Sequence, residues 1–141
     1  MSVDAYLNFQ GNTREVVEFY AEVFNTEISN LTTFGDMPSS PDHPLPPGMG
    51  NGIMHARLNV YGSNLMFSDT FPGMPFTMGN NISLAIVIDD AEELKRVYAK
   101  LGEGGQVVMP LQETFWSKLY GMVTDKFGIG WQFNLGSGEQ A

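Results

Sequence analysis

Histidine is the side chain most often used for acid–base chemistry near neutral pH and for metal binding. This sequence contains two, His43 and His55. His55 lies in an alternating apolar segment, where it can act as a general acid or base, or hold a divalent metal with Asp69 if a hairpin brings the two together. The alternative is a strand histidine whose hydrogen bonds are satisfied locally. His43 lies between Asp42 and Pro44, which favours a solvated loop residue, so His55 is the catalytic candidate.

The composition excludes several kinds of chemistry and partner. The chain has no cysteine, which excludes disulfides, thiolate metal sites and a cysteine nucleophile. Its 16 acidic and 7 basic residues give a net charge of −9, and the Lys and Arg residues do not cluster. Nucleic acids and anionic membranes bind clustered basic residues, so we expect neither partner. No apolar run reaches the roughly 18 residues of a membrane span. We also find no signal-peptide pattern and expect a cytoplasmic protein.

The two halves of the chain repeat one order of elements, strand, helix and three strands. In the first half the periodicities predict a strand over 6–9, a helix over 13–24 capped by Asn12, a strand over 28–34, and a hairpin with strands over 53–60 and 65–68 joined by a turn over 61–64. In the second half they predict a strand over 82–88, a helix over 91–101 capped by Asp90, and strands over 106–109, 119–124 and 129–135.

This repeat predicts an α+β fold in which two βαβββ modules form a cupped, barrel-like mixed sheet. We expect a single domain over 1–141, with module one over 1–69, a linker over 70–81, module two over 82–135 and a tail over 136–141. The stretch 36–52 contains five prolines and therefore predicts a loop. A loop of this length is typical of a lid, a partner-contacting arm or a disordered segment, and the sequence leaves all three open.

Several short motifs follow one another along nearly the whole chain. They include Tyr6-Leu7-Asn8-Phe9-Gln10-Gly11-Asn12, Met54-His55-Ala56-Arg57-Leu58, Leu65-Met66-Phe67-Ser68-Asp69, Met109-Pro110-Leu111, Thr114-Phe115-Trp116 and Trp131-Gln132. With them the chain resembles the vicinal oxygen chelate superfamily, which includes glyoxalase I, fosfomycin resistance proteins, extradiol dioxygenases and bleomycin-binding proteins. It looks most like the PhnB-like branch, also labelled 3-demethylubiquinone methyltransferase-like. Nothing in the sequence resembles an S-adenosylmethionine site, so we do not expect methyl transfer.

The resemblance also implies where metal ligands would lie. Metal-dependent members take one ligand, usually His or Glu, from the first and last strand of each half. The corresponding positions here are Ala5, Ser83, Gln132 and, with a register uncertain by one or two residues, Phe67. Ala and Phe have no donor atom, and neutral Ser and Gln are poor ligands for first-row divalent metals. We therefore expect no cofactor and no metal at these positions; the alternative is a divalent metal in an unusual site.

A ligand-binding cup should mix aromatic and polar side chains. The candidates for such a lining are Arg57, Asp69, Phe115, Trp116, Tyr120 and Gln132. The alternatives are core or dimer contacts for Phe115 and Trp116, simple packing for Tyr120, and an ion pair with a surface carboxylate for Arg57. Gln132 takes its place in the cup from the resemblance alone.

Three hypotheses follow. The first is a metal-independent protein that binds a small, partly apolar molecule. The second is an enzyme of the same superfamily, a lyase, isomerase or transferase acting through His55 on a small carbonyl compound or an antibiotic. The third is a structural dimer whose proline-rich arm over 36–52 reaches its partner. In the first two cases we also expect a homodimer, because relatives commonly dimerise.

Overall fold

The computed structural model describes residues 1–36, 50–71 and 73–136. His43 and most of the proline-rich stretch 36–52 lie outside the described residues, as does the tail beyond Gly136. The chain divides into two compact units, Met1–Phe76 and Thr77–Ala141. Whether these form the single domain expected from the sequence stays a prediction.

The first unit contains one helix and a four-stranded sheet. Its elements are β1 (Ala5–Phe9), α1 (Thr13–Val23), β2 (Ser29–Thr33), β3 (Ile53–Val60) and β4 (Ser63–Asp69). The strand order is β1-β4-β3-β2, with β1 parallel to β4 and the other pairs antiparallel. The β3–β4 turn is two residues shorter than predicted, because Tyr61 and Gly62 both take positive φ angles, 52° and 88°. That geometry matches the strand twist in a two-residue hairpin.

The second unit repeats this arrangement. Its elements are β5 (Ser83–Ile88), α2 (Ala91–Gly102), β6 (Gln106–Gln112), β7 (Tyr120–Thr124) and β8 (Gly130–Leu135). The order β5-β8-β7-β6 again has one parallel pair, β5 with β8. β6 continues three residues beyond the predicted end and includes Pro110, which an edge strand tolerates because one side of it needs no ladder hydrogen bonds. The predicted α+β fold of two βαβββ modules is confirmed.

In each unit the helix covers one face of the sheet. In the first unit Leu7, Phe9, Leu65 and Phe67 alternate along β1 and β4 and are buried, and the Phe67 ring lies 5.9 Å from that of Tyr20 in α1. In the second unit the covered set is Ile86, Val123, Trp131 and Phe133, with Phe133 against Tyr98 of α2. Because successive strand residues point to opposite sides, the residues between these form a second face, here called the open face.

The two helices begin in different ways. Asp90 caps α2 as predicted, with Oδ1 accepting from the amides of Glu92 and Glu93 at 3.1 Å. The prediction that Asn12 caps α1 is wrong, since its side chain makes no capping hydrogen bond. Asp69, at the end of β4, takes that role: its Oδ1 accepts from the Thr13 amide at 3.1 Å and the Thr13 hydroxyl at 2.6 Å.

No helix among the described residues is long and apolar enough to cross a membrane.

Candidate functional site

The open face of the second sheet carries a chain of hydrogen bonds across three neighbouring strands. The Tyr120 hydroxyl on β7 donates to Oε1 of Gln132 on β8 over 2.7 Å. Nε2 of Gln132 then donates to the Ser83 hydroxyl oxygen on β5 over 2.8 Å. Both ends of the Gln132 amide are therefore engaged, which fixes its orientation. All three side chains are partly exposed, so they present polar atoms to a binding partner without being fully solvated.

Two aromatic side chains extend this polar chain at one end. The ring of Trp116 lies 5.4 Å from that of Tyr120 at 70°, and the ring of Phe115 lies 4.8 Å from Trp116 at 82°. Edge-to-face contacts of this kind are favourable for aromatic pairs. Phe115 is 98% exposed and Trp116 48% exposed, so neither is a core residue. The core alternative considered for these two residues is therefore wrong within the described structure.

The segment carrying these rings is held in place by Ser117, which is buried. The Ser117 hydroxyl lies 2.9 Å from the Leu119 carbonyl oxygen and 2.6 Å from Oδ1 of Asn134 on β8. The Thr114 amide donates to the Ser117 carbonyl oxygen at 2.9 Å, which closes a tight turn around Phe115 and Trp116. The two exposed rings therefore lie on a short turn anchored to the sheet.

A hollow of about 440 Å³ lies beside this turn. Its lining comes from the turn, from Asp89 just after β5, and from Leu135 and Gly136 at the end of β8. The turn contributes Glu113 and Lys118 besides its aromatic pair. Because neighbouring parallel strands end at the same edge of a sheet, the hollow is built at the carboxyl ends of β5 and β8. The sequence patterns did not single out Asp89, Glu113 or Lys118.

The open face of the first sheet carries the histidine candidate. Nδ1 of His55 on β3 lies 3.2 Å from the Tyr6 hydroxyl on β1, and the two rings are 5.9 Å apart. Arg57, also on β3, donates through Nε to the Ser29 hydroxyl at 3.4 Å. Within the described part of the chain Arg57 makes no ion pair, so the surface ion pair considered for it is not formed there.

Asp69 is not available as a partner for His55, and the predicted pairing of these residues is corrected. Asp69 is 5% exposed. Besides Thr13, its Oδ1 accepts from the Gly11 amide at 3.0 Å, and its Oδ2 accepts from the Ile53 amide at 2.8 Å. A carboxylate that accepts four hydrogen bonds in the interior joins α1, β3 and β4, and its role is structural.

The metal-ligand positions inferred for the first half do not lie on the open face. Phe67 is fully buried against α1, and Ala5 alternates in phase with Leu7 and so points to the same side. Ser83 and Gln132 do lie on the open face of their sheet, in contact with each other. On β1 it is Tyr6 that lies on the open face, as its alternation with the buried residues Leu7 and Phe9 indicates.

The donor atoms at these positions do not fit a divalent metal. Ala5 and Phe67 offer none, and Ser83 and Gln132 offer neutral oxygens already engaged with each other. Among the residues that the structure describes, no three His, Asp or Glu side chains converge in a way that could hold a metal ion.

Comparisons with known proteins agree on one family. A family model described as 3-demethylubiquinone-9 3-methyltransferase matches residues 2–134. The protein YjdN of Escherichia coli strain K12 is 33% identical over 141 residues, covering 96% of this chain and 95% of YjdN. The crystal structure of PA1353 from Pseudomonas aeruginosa is 36% identical with a TM-score of 0.84, covering 95% of this chain and 96% of PA1353.

Two further structures connect the chain to named groups. A PhnB protein from Bacillus cereus, described as a putative 3-demethylubiquinone-9 3-methyltransferase, is 28% identical with a TM-score of 0.79 and covers 96% of this chain and 100% of its own. The fosfomycin resistance protein FosX from Listeria monocytogenes is 11% identical with a TM-score of 0.66, covering 99% of this chain and 95% of FosX. The likeness to FosX shows a shared vicinal oxygen chelate fold.

Proposed function

The chain belongs to the PhnB-like 3-demethylubiquinone-9 3-methyltransferase family of the vicinal oxygen chelate fold, and on that premise we propose that it binds a small, partly apolar molecule without a resident metal. The observation that carries this proposal is the hydrogen-bonded chain Tyr120–Gln132–Ser83. Two of its residues, Ser83 and Gln132, stand at positions where metal-dependent members of the superfamily hold metal ligands. Both side chains are neutral.

The polar chain supplies a donor for a ligand oxygen. Because the Ser83 oxygen accepts from Gln132, its own hydroxyl hydrogen is available, and no acceptor for it lies within hydrogen-bond distance in the described ranges. A ligand carbonyl or hydroxyl oxygen can accept that hydrogen. The exposed ring of Trp116, with Tyr120 beside it, can cover an apolar part of the same molecule. One polar anchor beside an aromatic wall is typical of small-molecule sites.

The test combines metal analysis with ligand binding. Protein purified without a His tag is examined by elemental mass spectrometry, as wild type and as His55→Ala, and we expect no stoichiometric metal in either.

Neutral aromatic ketones and phenols, with 4-hydroxyacetophenone first, are then screened by thermal shift and tryptophan fluorescence. We expect a compound that stabilises the wild type and binds Gln132→Leu about tenfold more weakly, because the variant loses the amide that orients the Ser83 and Tyr120 hydroxyl groups.

Gln106→Leu is the matched control, because Gln106 is an exposed glutamine on the edge strand β6 of the same sheet. It should bind the compound as the wild type does. A compound that binds Gln132→Leu and wild type equally would contradict the proposed site. Stoichiometric metal that disappears in His55→Ala would contradict the metal-free proposal.

A second candidate function is favoured by the contact between Tyr6 and His55. A phenol and an imidazole 3.2 Å apart can exchange a proton, and His55 can then give a proton to a substrate or take one from it, which is general acid–base catalysis. This candidate is an enzyme of the superfamily acting on a small carbonyl compound or an antibiotic. Once a turned-over substrate is found, His55→Ala should lower kcat by about a hundredfold or more. Tyr6→Phe keeps the ring and removes the hydroxyl, so it separates the proton-transfer role from packing. Full activity in His55→Ala would end this candidate.

The assembly and location of the protein remain proposals. We propose a cytoplasmic homodimer, and light scattering after size exclusion tests its oligomeric state directly. A monomer at micromolar concentration would contradict the dimer, and with it the hypothesis that the stretch 36–52 is an arm that reaches a partner subunit.

A further inference from the structure

We propose that the hollow beside Phe115 and Trp116 is a second binding site, specific for an organic cation with an aromatic or bulky aliphatic body. This inference does not rest on the proposed function, since Ser83 and Gln132 do not line the hollow, and Trp116 is the residue that the two sites share. No residue of the hollow corresponds to a metal-ligand position of the superfamily.

The size of the hollow suits a ligand rather than a trapped solvent molecule. Its volume of about 440 Å³ lies within the range of roughly 300–1,000 Å³ that is usual for small-molecule sites. The buried residues Ser117 and Gly136 contribute to its lining, so it reaches below the surface turn that carries the aromatic pair. The site is built from a turn fixed to the sheet by hydrogen bonds, which limits the entropy lost when a ligand binds.

The charges around the hollow favour a cation. Two acidic residues, Asp89 and Glu113, and one basic residue, Lys118, are among those that line the hollow. In the described structure none of the three makes a salt bridge, so both carboxylates have charge available for a ligand. The chain as a whole carries a charge of −9, which raises the local concentration of cations and opposes anions.

The aromatic pair explains why the cation should carry an apolar body. Phe115 is 98% exposed although its ring is among the largest apolar groups of the chain. A cation over the face of Trp or Phe is attracted by the negative face of the ring, and an attached apolar group removes ring surface from water at the same time. Carboxylates and exposed rings around one hollow are therefore complementary to an alkylammonium or quaternary ammonium compound.

The experiment uses the full chain and three probes of similar shape. Benzyltrimethylammonium is the cation, neopentylbenzene its neutral isostere, and 3-phenylpropionate an anion. Binding is followed by isothermal titration and by the fluorescence of Trp116. We expect saturable binding of the cation, at least about tenfold tighter than that of either other probe, and weaker as salt is raised. Equal binding of the neutral isostere, or preferred binding of the anion, would overturn the proposal.

Charge variants separate a local site from a general electrostatic effect. The double variant Asp89→Asn with Glu113→Gln should weaken the cation about tenfold or more. Glu15→Gln with Glu18→Gln removes the same charge from two exposed residues of α1 that do not line the hollow, and should leave the affinity within about twofold. Lys118→Gln should tighten the cation severalfold, because it removes the like charge from the lining. Identical affinities for the two double variants would contradict the site.

Two more variants distinguish loss of cation binding from loss of folding and from binding at the open face. Phe115→Ala should keep the wild-type melting temperature, since the ring is almost fully exposed, yet weaken the cation severalfold. Gln132→Leu should bind the cation like the wild type. Loss of cation binding in Gln132→Leu would place the cation on the open face instead, and overturn the second site.

Discussion

Oδ1 of Asp69, the last residue of β4, lies 2.6 Å from the hydroxyl oxygen of Thr13, the first residue of α1. The two residues are 56 positions apart, and both are buried. The start of α1 is therefore stabilised by a side chain that reaches it only after the β3–β4 hairpin has paired with β1. The start of α2, in contrast, is capped by its own neighbour Asp90.

This difference predicts unequal effects of removing the two caps. Asp69→Ala leaves buried amides of Thr13 and Ile53 without their acceptor, and should lower the free energy of unfolding by about 3 kcal/mol or more. Asp90→Ala removes an exposed cap of the same residue type and should cost about 1 kcal/mol. Urea denaturation followed by circular dichroism measures both. Equal losses would show that the buried network adds nothing to ordinary capping.

A second buried carboxylate holds the turn before β8. Asp125 is 3% exposed, its Oδ1 accepts from the Phe127 amide at 2.9 Å, and its Oδ2 accepts from Nε1 of Trp131 at 2.9 Å. We expect Asp125→Ala to cost about 3 kcal/mol. A double-mutant cycle with Trp131→Phe should give a coupling energy of about 1 kcal/mol or more, because these side chains share a buried hydrogen bond. Additive losses would contradict direct coupling.

The backbone of Gly105 lies so close to the backbone of Thr124 that we expect no side chain to be tolerated at this position. A Cβ atom built on Gly105 would overlap the Thr124 carbonyl oxygen, which belongs to the neighbouring strand and cannot rotate away. Gly105→Ala should therefore destabilise the protein by roughly 1–3 kcal/mol. Gly102→Ala is the control: its Cβ would meet only the Val123 side chain, at 3.7 Å, at the end of α2. It should be neutral or slightly stabilising, since alanine favours helix. The reverse order of melting temperatures would contradict the close approach.

The two tryptophans should respond differently to a soluble quencher. Trp116 is 48% exposed and Trp131 is 2% exposed. Acrylamide should quench one part of the emission strongly and the rest weakly, because contact with the quencher requires an accessible ring. Trp116→Phe should remove the strongly quenched part and leave the melting temperature nearly unchanged. A quenchable fraction that survives in Trp116→Phe would mean that Trp131 is accessible and that the described core is wrong.

Much of the fold was contained in local sequence patterns. The apolar alternation along β3, the 3.6-residue period of both helices and the Asp90 cap depend on residues close together in the chain, and the repeat of one element order predicted two βαβββ modules. The structure brings Trp116, Tyr120 and Gln132 into one network, and their role in ligand binding stays a prediction. The resemblance placed Ser83 and Gln132 at neighbouring ligand positions, but no pattern indicated that the two side chains would bond each other and Tyr120.

What only the tertiary structure decided depends on register and on contacts between distant strands. A shift of one residue moves a strand side chain to the opposite face, which is why Ala5 and Phe67 lie towards α1 while Tyr6 meets His55. Asn12 is the better local cap by residue type, yet Asp69 displaces it, because pairing of β1 with β4 delivers a carboxylate to the helix start. The hollow by Trp116 likewise forms only when the ends of β5 and β8 lie next to the turn over 113–118, which is distant from both strand ends in sequence. Sequence periodicity fixes which elements form, and strand pairing fixes which side chains meet.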